Sequence, residues 1–155
     1  MSATLTPKLP SLRRVGDQPG GGLVLASALV LVSGAAMSLA VVLRLSGGSL
    51  SLSYGLWVAL SGAVGAWAGL GMAWRDLGWP GTKGILLAVR GSFVFAMTGA
   101  IAGGSLVLPI FGTMFAPFAV IVTLMAIPAA AVGLAATLAL VHRRLLLWRA
   151  RGAPF

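Results

Sequence analysis

Few side chains in this chain could carry out acid–base, nucleophilic or metal chemistry. The 155 residues include one His, two Asp or Glu and no Cys. A hydrolytic triad needs a base beside a nucleophile and an orienting carboxylate, and a zinc site needs three or four His, Cys or carboxylate ligands. His142, Asp17 and Asp76 are too few and too scattered to indicate either arrangement. The sequence therefore predicts a protein that is not an enzyme, and it indicates no metal and no cofactor.

The composition excludes an ordinary soluble domain. Apolar residues make up 59% of the chain and charged residues only 8%, with a mean hydropathy of +1.03. An average soluble domain is about 25% charged, so this chain could not cover its own surface with polar groups. The apolar residues come in continuous runs that do not alternate, which favours helices over the strands of a barrel. The sequence thus predicts an all-α integral membrane protein.

Four apolar stretches are long enough to cross a bilayer, which takes roughly 20 residues each. They lie at approximately 23–43, 54–74, 91–110 and 117–141. The predicted fold is four transmembrane helices, arranged as two helical hairpins that small residues pack together. A transmembrane domain at 23–141 would then lie between a flexible basic N-terminal tail, 1–22, and a basic interfacial C-terminal tail, 142–155. The first apolar stretch exceeds the usual signal-peptide core, so we expect an uncleaved signal-anchor there.

Prolines make the third and fourth stretches the hardest to delimit. Between 105 and 118 we expect a simple turn near Gly112–Thr113, with a re-entrant or interfacial segment as the alternative. Pro109 would end one helix, and Pro117 would lie in the first turn of the next, where a missing N–H costs nothing. Pro128 lies inside the predicted fourth helix, and we expect it to kink that helix.

The basic residues predict an orientation. Ten of the 11 Lys and Arg residues lie in the two tails or in the loop between the second and third stretches, and Arg44 alone lies on the other side. Under the positive-inside rule, both termini and the middle loop face the cytoplasm. The expected location is the cell inner (cytoplasmic) membrane, as a multi-pass protein, with an organellar inner membrane as the alternative.

Small residues recur four positions apart on every predicted span. Such spacing lets helix backbones approach closely in lipid, where no hydrophobic force drives helices together. The predicted packing residues are Gly34, Ser38, Ser61, Gly65, Gly69, Ala73, Gly99, Gly103 and Gly133. The pattern does not distinguish contacts within the chain from contacts with other chains. We expect Gly65→Leu or Gly69→Leu to disrupt assembly but not insertion.

The C-terminal tail carries a cluster of basic residues, which we expect to contact anionic lipids of the cytoplasmic leaflet or an acidic partner. They are Arg143, Arg144, Arg149 and Arg151. Nucleic acid is not an expected partner, because the positive charge lies where membrane topology already requires it.

Two hypotheses of function follow from these patterns. The first is a non-catalytic accessory, assembly or scaffolding subunit of a larger membrane complex, which acts by helix packing and by organising lipid or cofactor. It depends on small-residue stripes on every span and on the lack of an ionisable group deep in any span, which coupled transport generally needs. The alternative is a homo-oligomeric pore, a small channel or a holin-like permeabiliser, for which the glycine-rich faces and the hydroxyl groups argue.

Overall fold

The computed structural model describes residues 21–150, which form an all-helical fold of five α-helices. The helices are α1 (Gly21–Leu45), α2 (Leu52–Ala73), α3 (Gly81–Val107), α4 (Phe111–Ala126) and α5 (Pro128–Ala150). All but α4 are long and apolar enough to cross a membrane, and α4 is a shorter apolar helix of 16 residues. The four candidate spans indicate a multi-pass membrane protein.

The stretch expected to form a single fourth helix forms two. Pro128 has no N–H to donate, and its ring disfavours helical geometry at the residue before it. Ile127 accordingly adopts φ −125° and ψ 87°, and its own N–H bonds to the carbonyl of Thr123 as the last bond of α4. The predicted kink is therefore a complete break between α4 and α5.

The helix boundaries near 80–120 also differ from the sequence prediction. Helix α3 begins at Gly81 rather than near 91, because exposed Lys83 and Arg90 lie on the helix surface and do not end it. Helix α4 begins at Phe111, so the turn after α3 comes a few residues earlier than expected. Pro117 consequently lies inside α4 rather than in the first turn of a helix.

Helix α2 lies between α1 and α3, with extensive contacts to both. Helix α5 packs against α1, and α4 packs chiefly against α3. Helices α3 and α5 scarcely meet, so the ring of helices is open between them. The start of α1, the end of α2, the start of α3 and the end of α5 share one end of the bundle, which we call the basic end.

A large part of the buried core lies toward the basic end. Leu77, Val141 and Leu145 are fully buried there, and Val30 of α1 joins the same core cluster. Leu77 belongs to the loop between α2 and α3, residues 74–80, rather than to a helix. That loop is therefore part of the core, and its path is fixed by apolar burial as well as by its hydrogen bonds.

Candidate functional site

The closest helix contacts are made by glycines of α2 against α3. A Cβ placed on Gly65 would meet the carbonyl of Gly99 and come within 2.7 Å of the backbone nitrogen of Gly103. A Cβ placed on Gly69 would come within 2.6 Å of the carbonyl oxygen of Phe95. Only a residue without a side chain permits this approach, so the small-residue stripe of α2 is filled by α3 of the same chain.

An adjacent strip of the α2 surface contacts α1 in the same manner. The position of a Cβ on Gly34 is occupied by Ala66 and by the carbonyl of Gly62, and Gly62 in turn lies against Ser38. Ser61 and Ala73 are also buried, and the Ser61 hydroxyl has no hydrogen-bond partner among the described residues. Eight of the predicted packing residues thus lie at contacts within the chain: Gly34, Ser38, Ser61, Gly65, Gly69, Ala73, Gly99 and Gly103.

Gly133 is the predicted packing residue that has no such contact. It is exposed, and a Cβ built on it meets nothing within 4 Å among the described residues. Ala129 and Ala136, beside it on the same side of α5, are exposed as well. We call Ala129, Gly133 and Ala136 the α5 outer face. No other described part of the chain covers this face, which the exposed side chains of Val132 and Leu140 border.

The loop 74–80 is held at the basic end by α5. Gly78 has φ +82°, and a Cβ there would come within 2.7 Å of the Leu145 Cβ. Its backbone N–H donates to Nδ1 of His142 at 3.1 Å. Since a Cβ would meet Leu145, a glycine is required both for the backbone conformation and for the contact with α5.

Aromatic and basic side chains complete this attachment. Arg149 donates from Nη2 to the carbonyl of Trp74 at 2.9 Å, and its guanidinium lies 4.6 Å from the centre of the Trp79 ring. Trp148 meets Trp74 edge to face, with ring centroids 5.6 Å apart. Because Trp79 is exposed, a cation–π contact of this kind contributes about 0.5–1 kcal/mol, so Arg149 serves the fold as well as carrying charge.

Asp76 and Arg90 form a bidentate ion pair between the loop and α3. Arg90 donates from Nε to Oδ2 at 2.9 Å and from Nη2 to Oδ1 at 2.6 Å. The Asp76 side chain is only 9% exposed, whereas that of Arg90 is 68% exposed. Asp76 is the one acidic residue within 21–150. Its two charge-assisted hydrogen bonds to Arg90 offset the free-energy cost of burying the carboxylate.

The predicted lipid-contact residues divide into two groups. Arg143 and Arg144 are exposed, whereas Arg149 is half-buried by its contacts with the loop. Arg151 and the N-terminal residues 1–20 lie outside the described residues. Sequence reasoning missed the attachment of the loop, although two signals pointed to it: a lone carboxylate that needs a partner, and a glycine between bulky residues.

Two apolar spaces lie between helices that make few direct contacts with each other. The first, away from the basic end, has a volume of about 370 Å³ and lies among α1, α3 and α4. Ser33 and Ser38 are the hydroxyl-bearing side chains on its otherwise apolar walls. This space separates α1 from α4, which make few contacts with each other.

The second space, which we call the α3–α5 groove, has a volume of about 550 Å³. Its α3 wall includes Val89 and Ser92, and its α5 wall includes a run of alanines, Ala131, Ala135 and Ala139. Leu77 and His142 also line it, and His142 lies toward the basic end. The groove is apolar along its length, with the imidazole as its most polar feature.

Several hydroxyl groups of the helices donate to a backbone carbonyl one turn earlier in the chain. Ser92 donates to the carbonyl of Ala88 at 2.7 Å, and Thr137 donates to that of Gly133 at 2.9 Å. Among residues 21–150, no three His, Cys, Asp or Glu side chains converge as a metal site would need. No model of a known protein family, no curated protein and no solved structure matches this chain.

Proposed function

We propose that this chain is a non-catalytic accessory subunit of a larger membrane protein complex, which it joins by helix packing. In this proposal the four long helices cross the inner membrane, and both termini lie on the cytoplasmic side. The subunit would assist assembly or stability and would organise lipid around the complex.

The observation that carries this proposal is the α5 outer face. The small-residue stripes of α1, α2 and α3 are covered by contacts within the chain, whereas a Cβ added at Gly133 would meet nothing within 4 Å among residues 21–150. In a membrane, a small-residue face gains little from lipid but allows another helix to approach closely. An uncovered face of this kind on an otherwise tightly packed bundle favours a partner helix at α5.

The distribution of charge supports the proposed orientation. Arg75 in the loop, Lys83 and Arg90 on α3, and the exposed Arg143 and Arg144 on α5 all belong to the basic end. Arg44, at the far end of α1, is the one basic residue of the described chain at the opposite end. The folded chain therefore has the asymmetry that the positive-inside rule associates with the cytoplasmic face.

A native pulldown from mild detergent, analysed by mass spectrometry and by an absorption spectrum, tests the proposal. We expect one or more membrane subunits to co-purify in fixed stoichiometry with the full chain. Gly133→Leu should abolish that co-purification, because the leucine side chain would block close approach at the α5 outer face.

Gly71→Leu is the matched control, because Gly71 is also an exposed helix glycine with nothing within 4 Å of an added Cβ. It should leave the partner bound. A chain that purifies as a stable monomer with no partner, or a partner that is lost equally from both variants, would contradict the proposal.

The alternative of a homo-oligomeric pore has less support. The first apolar space offers only two hydroxyl side chains, and hydroxyls elsewhere, such as those of Ser92 and Thr137, bond within their own helix. Ions crossing a membrane need a polar lining. Ion flux through liposomes that contain the purified chain, across a range of ions and voltages, would favour the pore over the accessory subunit.

A further inference from the structure

We propose that the α3–α5 groove binds one anionic phospholipid, with an acyl chain between the helices and the phosphate at the basic end. This inference depends on the membrane location in the proposed function, but not on the accessory role. The groove would be a specific binding site for one lipid, whereas the basic C-terminal residues by themselves indicate only a general attraction to an anionic leaflet.

The shape of the groove suits a lipid chain. At about 550 Å³ it falls within the range of roughly 300–1,000 Å³ typical of small-molecule sites. Its α5 wall combines Leu134 and Leu138 with Ala131, Ala135 and Ala139, and the small alanine side chains leave space for an acyl chain. Helices α3 and α5 make almost no direct contact, so an apolar chain entering from the side would have few protein contacts to break.

The groove has a hydrogen-bond donor at its polar end. Gly78 donates its N–H to Nδ1 of His142, so the neutral ring carries its proton on Nε2. His142 also lines the groove. With Nδ1 occupied by the loop, Nε2–H is the group of this ring that can donate to an acceptor on a ligand. A phosphodiester oxygen is such an acceptor.

Charge complementarity identifies the ligand as anionic. Arg143 is exposed and follows Ala139 by one helical turn on the same side of α5. It therefore lies at the end of the groove beside His142. The basic end of the described chain carries six Lys or Arg residues against the single Asp76. Basic pockets between membrane helices on the cytoplasmic side typically bind anionic lipid headgroups.

A partner helix is less suited to this groove than a lipid. A helix with its side chains is about 10–12 Å across and needs small residues on both facing surfaces for close approach. Here Ile85, Val89 and Phe93 project from the α3 side. These bulky residues would oppose a helix backbone, but a flexible acyl chain can bend around them.

Lipid titration of the purified full chain, followed by native mass spectrometry, tests this site. The probes are dioleoyl phosphatidylglycerol and dioleoyl phosphatidylcholine, which have the same chains and differ in net headgroup charge. We expect the first phosphatidylglycerol to bind about tenfold more tightly than phosphatidylcholine, because both lipids offer a phosphodiester to His142 but only phosphatidylcholine brings a cation to the basic end. Equal binding of the two lipids would overturn the proposal.

Paired variants locate the lipid. Ala135→Leu fills the groove and should reduce phosphatidylglycerol binding about tenfold, whereas Ala136→Leu, at the next residue on the α5 outer face, should not. If Ala135→Leu fails to fold, Ala139→Leu tests the same wall. Equal effects of the groove variant and Ala136→Leu would contradict the site.

The polar end is tested by His142→Asn and Arg143→Gln. An Asn oxygen can take the place of Nδ1 and accept from Gly78, but Asn provides no group at the position of Nε2–H. Arg143→Gln should weaken the binding of phosphatidylglycerol and leave that of phosphatidylcholine nearly unchanged, because the two lipids differ in net charge. His142→Asn should weaken the binding of both lipids, because both carry the phosphodiester that Nε2–H would meet. An equal loss of both lipids on Arg143→Gln, or no loss of either lipid on His142→Asn, would contradict headgroup recognition.

The experiment distinguishes this proposal from the accessory role. Lipid titration uses the isolated chain, so absence of a partner in the pulldown does not affect it. Conversely, if Ala135→Leu removes a co-purifying subunit but leaves phosphatidylglycerol bound, the groove holds a partner helix and the lipid proposal is overturned.

Discussion

Nδ1 of His142 accepts a hydrogen bond from the backbone N–H of Gly78 at 3.1 Å, across 64 residues of sequence. This bond joins the final helix of the bundle to the loop between α2 and α3. Around it, Leu77 is fully buried and Arg149 holds the carbonyl of Trp74. The basic end is therefore a folded part of the molecule, although its sequence resembles an ordinary charged loop and tail.

The role of His142 in this attachment can be measured directly. His142→Leu would leave the Gly78 N–H without its acceptor, at a cost of about 1–3 kcal/mol in the free energy of unfolding. His142→Asn should retain most of that stability, because its side-chain oxygen can accept the same N–H. Amide hydrogen exchange at Gly78 should be faster in the Leu variant than in the Asn variant, and equal rates would contradict the assigned bond.

Gly78→Ala should destabilise the protein more than Gly81→Ala does. Both glycines have a positive φ, of 82° and 77°, so both variants suffer the strain of a left-handed backbone, about 1–3 kcal/mol. A Cβ at Gly78 also meets Leu145, whereas one at Gly81 meets nothing within 4 Å. The added contact should cost about 1–3 kcal/mol more. Chemical denaturation in detergent, followed by tryptophan fluorescence, measures the difference, and equal losses would show that Leu145 can move aside.

The Asp76–Arg90 pair predicts unequal effects of removing either partner. Arg90→Ala leaves a carboxylate that is only 9% exposed without its donors, which should cost about 1–3 kcal/mol. Asp76→Asn leaves an arginine that is 68% exposed and already hydrated, so the loss should be smaller than that of Arg90→Ala.

The double variant controls for this asymmetry. Combining Arg90→Ala with Asp76→Asn removes the unpaired carboxylate, so its stability should exceed that of Arg90→Ala alone. The same denaturation assay applies to all three proteins. If Asp76→Asn were the more destabilising single variant, the carboxylate would have a structural role beyond its pairing with Arg90.

Gly65→Leu should open the contact between α2 and α3. The added side chain would meet the backbone of Gly99 and Gly103, which cannot rotate away as a side chain can. We expect a loss of at least about 1–3 kcal/mol in the free energy of unfolding, with a lower thermal midpoint in detergent. Gly71→Leu, on the open side of the same helix, provides the control and should stay within about 0.5 kcal/mol of the parent. A Gly65→Leu protein as stable as the Gly71→Leu protein would mean that α2 and α3 are less closely packed than described.

Hydropathy and residue spacing were sufficient to predict an all-helical chain with four long apolar helices. Such features are local: an apolar run of sufficient length is a property of consecutive residues. The same holds for a small-residue stripe such as Gly65 and Gly69. The break at Pro128 was only half predicted, because its missing N–H and its ring fix where a helix is weakened but not whether the helix continues beyond it.

Only the tertiary structure decided which faces are occupied. Gly65 and Gly133 belong to similar stripes in the sequence, yet one lies against α3 and the other is uncovered. The pairing of Asp76 with Arg90, and of Gly78 with His142, likewise depends on where separate helices end in space. Periodicity specifies the direction in which a side chain projects from its own helix. What that side chain meets is determined by the packing of the whole bundle, where each contact constrains the others.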